Sequence, residues 1–148
     1  MTLEERITTD LKTAMKAQDK IALRGIRAIK SAILLQKTDG TGQALDAEGE
    51  IALLQKLVKS RQDSLDIYVK QNREDLAVTE REEIEVISRY LPEALSEEEL
   101  AALIDGIIAE NGATSMKDMG KVMGLANKAA AGRADGKTIA AMVKQKLG

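Results

Sequence analysis

Lys117, Lys121, Lys128, Arg133, Lys137, Lys144 and Lys146 crowd one stretch of the chain, interleaved with Gly120, Gly124, Gly132 and Gly136. Cations so placed can neutralise phosphates, and each such contact releases condensed counterions. Glycine beside them removes the side chains that would hold a sugar–phosphate backbone at a distance. Gly120 and Gly124 stand one helical turn apart, and each costs roughly 1 kcal/mol against alanine in a helix. Two readings of that cost stand open: close packing of a neighbouring helix, or a bare surface offered to a nucleic acid.

Two other patterns suggest chemistry. Gly132-Arg133-Ala134-Asp135-Gly136-Lys137-Thr138 invites comparison with a phosphate-binding P-loop, which needs four residues between its glycines. Here three separate them, position 131 is alanine, and no apolar strand precedes the segment. Nucleotide hydrolysis is therefore excluded. Glu80, Glu82, Glu83 and Glu85, with Glu97, Glu98 and Glu99 further on, could share a proton or hold a divalent cation. Most of them instead fall in first helical turns, where negative charge complements the helix dipole. No metal, cofactor or catalytic residue is assigned. A further basic set, Lys20, Arg24, Arg27 and Lys30, lies opposite Ile26, Ile29 and Ile33. It reads either as a solvated face or as a phosphate-tracking stripe, with Arg24 and Arg27 as its candidates.

Composition removes several function classes. The 148 residues contain no cysteine and no histidine, which excludes disulfides, Cys/His zinc sites and histidine-activated nucleophiles. Phe and Trp are absent and only Tyr68 and Tyr90 are aromatic, so the 44% of hydrophobic residues must build an aliphatic core. No apolar run approaches the ~20 residues that span a bilayer. The N-terminus is not basic and then apolar, as a signal peptide would be. A cytoplasmic protein without a membrane partner is expected. The net charge of −2 hides a block structure: 12 acidic against 2 basic residues from Glu74 to Glu110, then 2 against 7 to the end.

The elements that must position these residues are helices. Thr2 and Glu5 have capping-box spacing, and Leu3, Ile7, Leu11 and Met15 share a face through about Gln18. Asp19 caps a second helix carrying Ala22, Ile26, Ile29 and Ile33. Thr38 to Gly42 reads as a loop. A long helix from Asp46 to about Arg73 follows, with Arg61 interrupting the seam of Ile51, Leu54, Val58, Leu65 and Tyr68. Thr79 and Glu82 open a fourth, which Ile84, Ile87 and Leu91 carry to Pro92, the only proline. Beyond it Ser96 and Glu99 cap a helix with Leu100, Leu103, Ile104, Ile107 and Ile108, ended by Asn111-Gly112. Ser115 and Asp118 open the next, with Met116, Met119, Met123 and Ala126 on one face. Asp135 caps a last helix with Ile139, Val143 and Leu147. The expected fold is all-α: an N-terminal four-helix region over 1–91, then a small three-helix domain over 93–148.

Met119-Gly120-Lys121-Val122-Met123-Gly124 followed by Gly132-Arg133-Ala134-Asp135-Gly136 resembles the YqeY-like family. The Lys20 to Ile33 helix and Tyr90-Leu91-Pro92 with Ser96 to Leu100 extend the resemblance over essentially the whole chain. That family is related to the tail of the B subunit of the glutamine-dependent aspartyl/glutamyl-tRNA amidotransferase. The resemblance implies a helical bundle with a three-helix C-terminal domain, and a tail that engages tRNA while the chemistry belongs to other modules. Nothing in this sequence matches the amidase serine–serine–lysine machinery or an ATP-binding motif. Family members are often labelled carbon–nitrogen ligases with glutamine as amide donor, a label read here as transferred from the larger enzyme.

The leading expectation is a non-catalytic accessory protein that binds tRNA. Lys117, Lys121, Lys128, Arg133 and Lys137 would meet phosphates, and Gly120, Gly124, Gly132 and Gly136 would permit close approach. The lack of aromatics favours recognition of RNA shape over stacking on unpaired bases. The alternatives are a component of tRNA amide transfer, working with amidotransferase subunits or an aminoacyl-tRNA synthetase, and a helical protein–protein adaptor.

Overall fold

A computed structural model describes residues 1–39 and 45–148. Among them the chain forms seven α-helices and a single 3-10 turn, with no strand. The part of the predicted loop formed by Gly40, Thr41 and Gly42 lies outside the described residues. The helices gather into two compact units, Met1–Leu91 and Pro92–Gly148.

The first unit contains α1 (Leu3–Ala17), α2 (Lys20–Lys37), α3 (Ala47–Lys70) and α4 (Glu74–Ser88). Short polar residues start the first three. The Thr2 hydroxyl oxygen accepts from the Glu5 amide, Asp19 from Ala22 and Asp46 from Gly49, satisfying amides that have no partner within the helix. Only half of the predicted capping box at Thr2 forms, because the Glu5 carboxylate takes the Thr2 hydroxyl rather than its amide. The core is aliphatic, with Ile7, Ile29, Leu54, Val86 and Ile87 almost wholly buried. Met15 is not part of it. Steps of four advance about 40° per pair around a helix, so the row from Leu3 drifts off the core by Met15. Ala14 takes the buried place and Met15 stays 56% exposed.

The start of α4 also differs from the expectation. Thr79 lies inside the helix, which begins five residues earlier at Glu74. Asn72, at φ 56°, makes the left-handed turn out of α3, and Glu74 and Asp75 supply the negative charge of the first turn. The helix ends at Ser88, three residues before Leu91. Bonds from the amides of Tyr90 to Ile87 and Leu91 to Ser88 tighten the chain ahead of Pro92. Arg61 stays in the seam between α3 and α4. Its Nε lies 3.4 Å from Glu83 and its Nη1 donates to the Leu57 carbonyl.

At Gly25 the backbone of α2 lies against Val86 of α4. A Cβ built there would stand 2.5 Å from Val86 Cγ1 and 2.6 Å from Val86 Cβ. Real Cβ atoms do not approach that closely, so the bare backbone of α2 is what admits Val86 to the core.

The second unit contains α5 (Glu97–Asn111), a 3-10 turn (Met116–Asp118), α6 (Met119–Ala130) and α7 (Gly136–Leu147). Leu100, Ile104, Val122, Ala126, Ile139 and Val143 form the centre of its core. The α5 capping box is complete: Ser96 Oγ accepts from the Glu99 amide and Glu99 Oε1 from the Ser96 amide, both at 3.1 Å. Gly112 closes α5 at φ 61°. The Ser96 amide holds the Glu99 carboxyl below the usual carboxylate range. With its folded pKa lowered, Glu99 contributes stability above its unfolded pKa, and that contribution is lost as pH falls through the folded one. Ser96→Ala removes the hydroxyl that accepts from the Glu99 amide, and loss of that cap should cost about 1 kcal/mol. Stability should fall less on acidification in Glu99→Gln, which lacks the titrating carboxylate, as urea denaturation at neutral and acid pH would read.

Candidate nucleic-acid interface

The candidate residues of the second unit sort by helix face. Val122, Ala126 and Ala130 point α6 into the core. At 3.6 residues per turn, Gly120, Gly124, Lys121 and Lys128 fall on the opposite side, and all four are exposed. Lys117, in the 3-10 turn that leads into α6, is exposed as well. The structure bears on the first of the two readings of the glycine spacing, packing of a neighbouring helix. A Cβ added at Gly120 or Gly124 would meet nothing within 4 Å. Among the described residues nothing packs on these glycines, and the backbone of α6 lies open between lysines. Gly120→Ala and Gly124→Ala should each raise stability by up to about 1 kcal/mol, which urea denaturation would measure. The methionine row is only partly core: Met119 and Met123 are half-buried and Met116 is exposed. Val122, hidden inside the glycine motif, is the fully buried residue of that turn.

The turn between α6 and α7 works differently. Ala131 at φ 48° and Gly132 at φ 83° are both left-handed, and only glycine adopts that conformation without strain. Arg133 is half-buried. Its Nε donates to the Glu93 carbonyl at 2.9 Å, and its own carbonyl accepts from the Leu95 amide at 2.7 Å. Together the two bonds clasp the segment before α5 to this turn, a long-range role that spacing alone does not reveal. Asp135 occupies the start of α7, accepting from the Thr138 amide at 2.8 Å and the Thr138 hydroxyl at 2.9 Å. A carboxylate at the place where a P-loop would receive phosphate is the electrostatic reason against that reading. Gly136 and Lys137 are exposed in the first turn of α7. Lys146 pairs with Asp105 at 2.8 Å. Lys117, Lys121, Lys128 and Lys137 have no carboxylate within 4.0 Å among the described residues.

Arg24 and Arg27 belong to the first unit. Arg24 is engaged with Glu82 of α4 at 3.1 Å, whereas Arg27 is exposed and has no acidic neighbour at ion-pair distance among the described residues. Several acidic residues of α4 are paired with cations. Arg81 pairs with Glu74, Arg73 with Asp75 at 3.0 Å, Arg61 with Glu83, and Arg89 with Glu85 at 2.8 Å. Among the described residues no group of three or more carboxylates could hold a metal ion. No helix there is long and apolar enough to cross a membrane.

Comparison with known proteins extends over the same elements. The chain is 37% identical over 103 residues to "Altered inheritance of mitochondria protein 41, mitochondrial" of Lachancea thermotolerans, covering 68% of this chain and 55% of that protein. The protein of the same name from Vanderwaltozyma polyspora is 33% identical over 116 residues, covering 74% and 63%. That of Pyrenophora tritici-repentis is 29% identical over 147 residues, covering 97% and 80%. The chain thus spans little more than half the length of the two yeast relatives. The Yqey-like protein profile matches residues 4–147, from α1 to the last residue of α7. With both units inside that match, the chain belongs to the YqeY-like family.

Proposed function

We propose that this protein is a non-catalytic accessory factor that binds tRNA through the outward face of α6. The observation that carries the reading is the pair of open glycines, Gly120 and Gly124, set among the exposed Lys117, Lys121 and Lys128. A helix that keeps two costly glycines where nothing packs presents its backbone to something outside the chain. The flanking cations favour a polyanion. No aromatic residue occurs after Tyr90, so stacking on unpaired bases has no platform in the second unit, and recognition of a folded RNA by shape fits the surface better. Family kinship with the amidotransferase tail supports tRNA as the RNA. A partner that hands over or receives the tRNA, such as an amidotransferase subunit or a synthetase, belongs to the same reading. So does either a cytoplasmic or a mitochondrial setting, since relatives are named mitochondrial.

Titration of purified protein into labelled total tRNA at several salt concentrations tests the proposal. Affinity should fall linearly on a log–log plot, with a slope near −3 if Lys117, Lys121 and Lys128 dominate. Salt-independent binding, or none at low salt, would overturn it. A transamidation assay with and without the protein separates the accessory role from an enzymatic one.

A further inference from the structure

A second candidate site lies in the first unit, where α1 meets α2 and the end of α4. It is a cleft of about 270 Å³, open on one side. Ala14, Ala22, Ile26 and Val86 form an apolar floor. Arg6, Asp10, Asp19 and Arg89 stand around it, with Tyr90 beside them. The volume is below the ~300–1,000 Å³ of sites for drug-sized ligands, so a small metabolite is the right scale.

The rim is already ordered. Arg6 stacks over the Tyr90 ring at 5.0 Å, and the Tyr90 hydroxyl donates to Asp10 Oδ2. Asp19 Oδ1 accepts from the Ala22 amide, and Arg89 holds Glu85 with Nε and Nη2. These contacts leave Asp10 Oδ1, Asp19 Oδ2, Arg89 Nη1 and the terminal nitrogens of Arg6 for a ligand. Two cations and two anions share one opening, which selects by charge. A phosphate would face both aspartates, a diamine both arginines, and a wholly apolar ligand would strip water from four charges without pairing any. A zwitterion meets both signs at once.

We propose that the cleft binds a free α-amino acid with an aliphatic side chain. Its carboxylate turns to Arg6 and Arg89, its ammonium to Asp10 and Asp19, and its side chain lies on the floor of Ala14, Ala22, Ile26 and Val86. The site is independent of the α6 surface, so either can fail without the other.

L-leucine is the probe, followed by amide chemical shifts of the full chain in an NMR titration. Shifts should concentrate in residues 6–26 and 86–90. Isopentylamine and 4-methylpentanoate, which each lack one charge, should bind at least about tenfold more weakly. Thr13→Phe, placed on the exposed wall of the cleft, should abolish the shifts while far-UV circular dichroism stays unchanged. If Thr13→Phe loses helix, Arg6→Gln serves in its place, with the same loss expected. Absence of shifts in these residues at millimolar leucine would overturn the proposal. So would equal binding of the analogues, or full binding by folded Thr13→Phe.

Discussion

Gly25→Ala is expected to destabilise the first unit by about 1–3 kcal/mol, the range for forcing an extra methyl into a packed core. Alanine returns roughly 1 kcal/mol of helix propensity, so the observed value is already net of that gain. Steric cost prevails because the obstacle is not the end of a flexible chain. Val86 Cβ, fixed to the α4 backbone, stands 2.6 Å from the added methyl. Trimming Val86 to alanine removes Cγ1, at 2.5 Å, but leaves Cβ in place and gives only partial relief. Val86→Gly removes it, moving the bare position from α2 to α4. In a double-mutant cycle, Gly25→Ala with Val86→Gly should therefore cost less than the sum of the single changes. Urea midpoints read by circular dichroism at 222 nm would measure all four proteins, and strict additivity would show that the two helices do not touch there.

The other large effect concerns RNA. Changing Lys117, Lys121 and Lys128 together to glutamate should reduce tRNA affinity by at least about 100-fold at low salt, since three contacts turn into three repulsions. The log–log salt slope should become shallower by about three, one for each cation. All three side chains are exposed and make no ion pair among the described residues, so the fold should be unaffected. Lys146→Glu is the matched control for the single reversal Lys121→Glu. Lys146 pairs with Asp105 on the α5 side, and its loss should change stability slightly and RNA binding little. Equal loss in Lys121→Glu and Lys146→Glu would mean that net charge alone governs binding and that α6 is not the surface.

Much of this architecture could be read from residue order. Helix starts at Asp19, Asp46, Ser96 and Asp135 are signalled by one side chain bonding an amide three residues on. Isoleucines at three- and four-residue steps mark α2 and α5 as helices with one buried side. The start of α4 was hidden because its turn rests on Asn72, a residue that tolerates the left-handed region without announcing it as glycine or proline would. Val122 gives little signal for a related reason: a lone valine between lysine and methionine carries no periodicity of its own. The clasp at Arg133 joins groups 38 and 40 residues apart, and such pairing depends on how three helices pack. The glycines show the limit most clearly. Gly25 and Gly120 look alike in sequence, yet one is enclosed by valine and the other faces open space.

The aliphatic core has an optical corollary. Tyr68 and Tyr90 both belong to Met1–Leu91, so every absorbing ring sits in one unit and α5–α7 are silent near 280 nm. Tyrosine fluorescence and near-ultraviolet dichroism follow the α1–α4 unit alone, whereas the peptide signal at 222 nm sums both. The same preparation therefore carries its own pair of reporters. An amino acid entering beside Tyr90 would register in the rings.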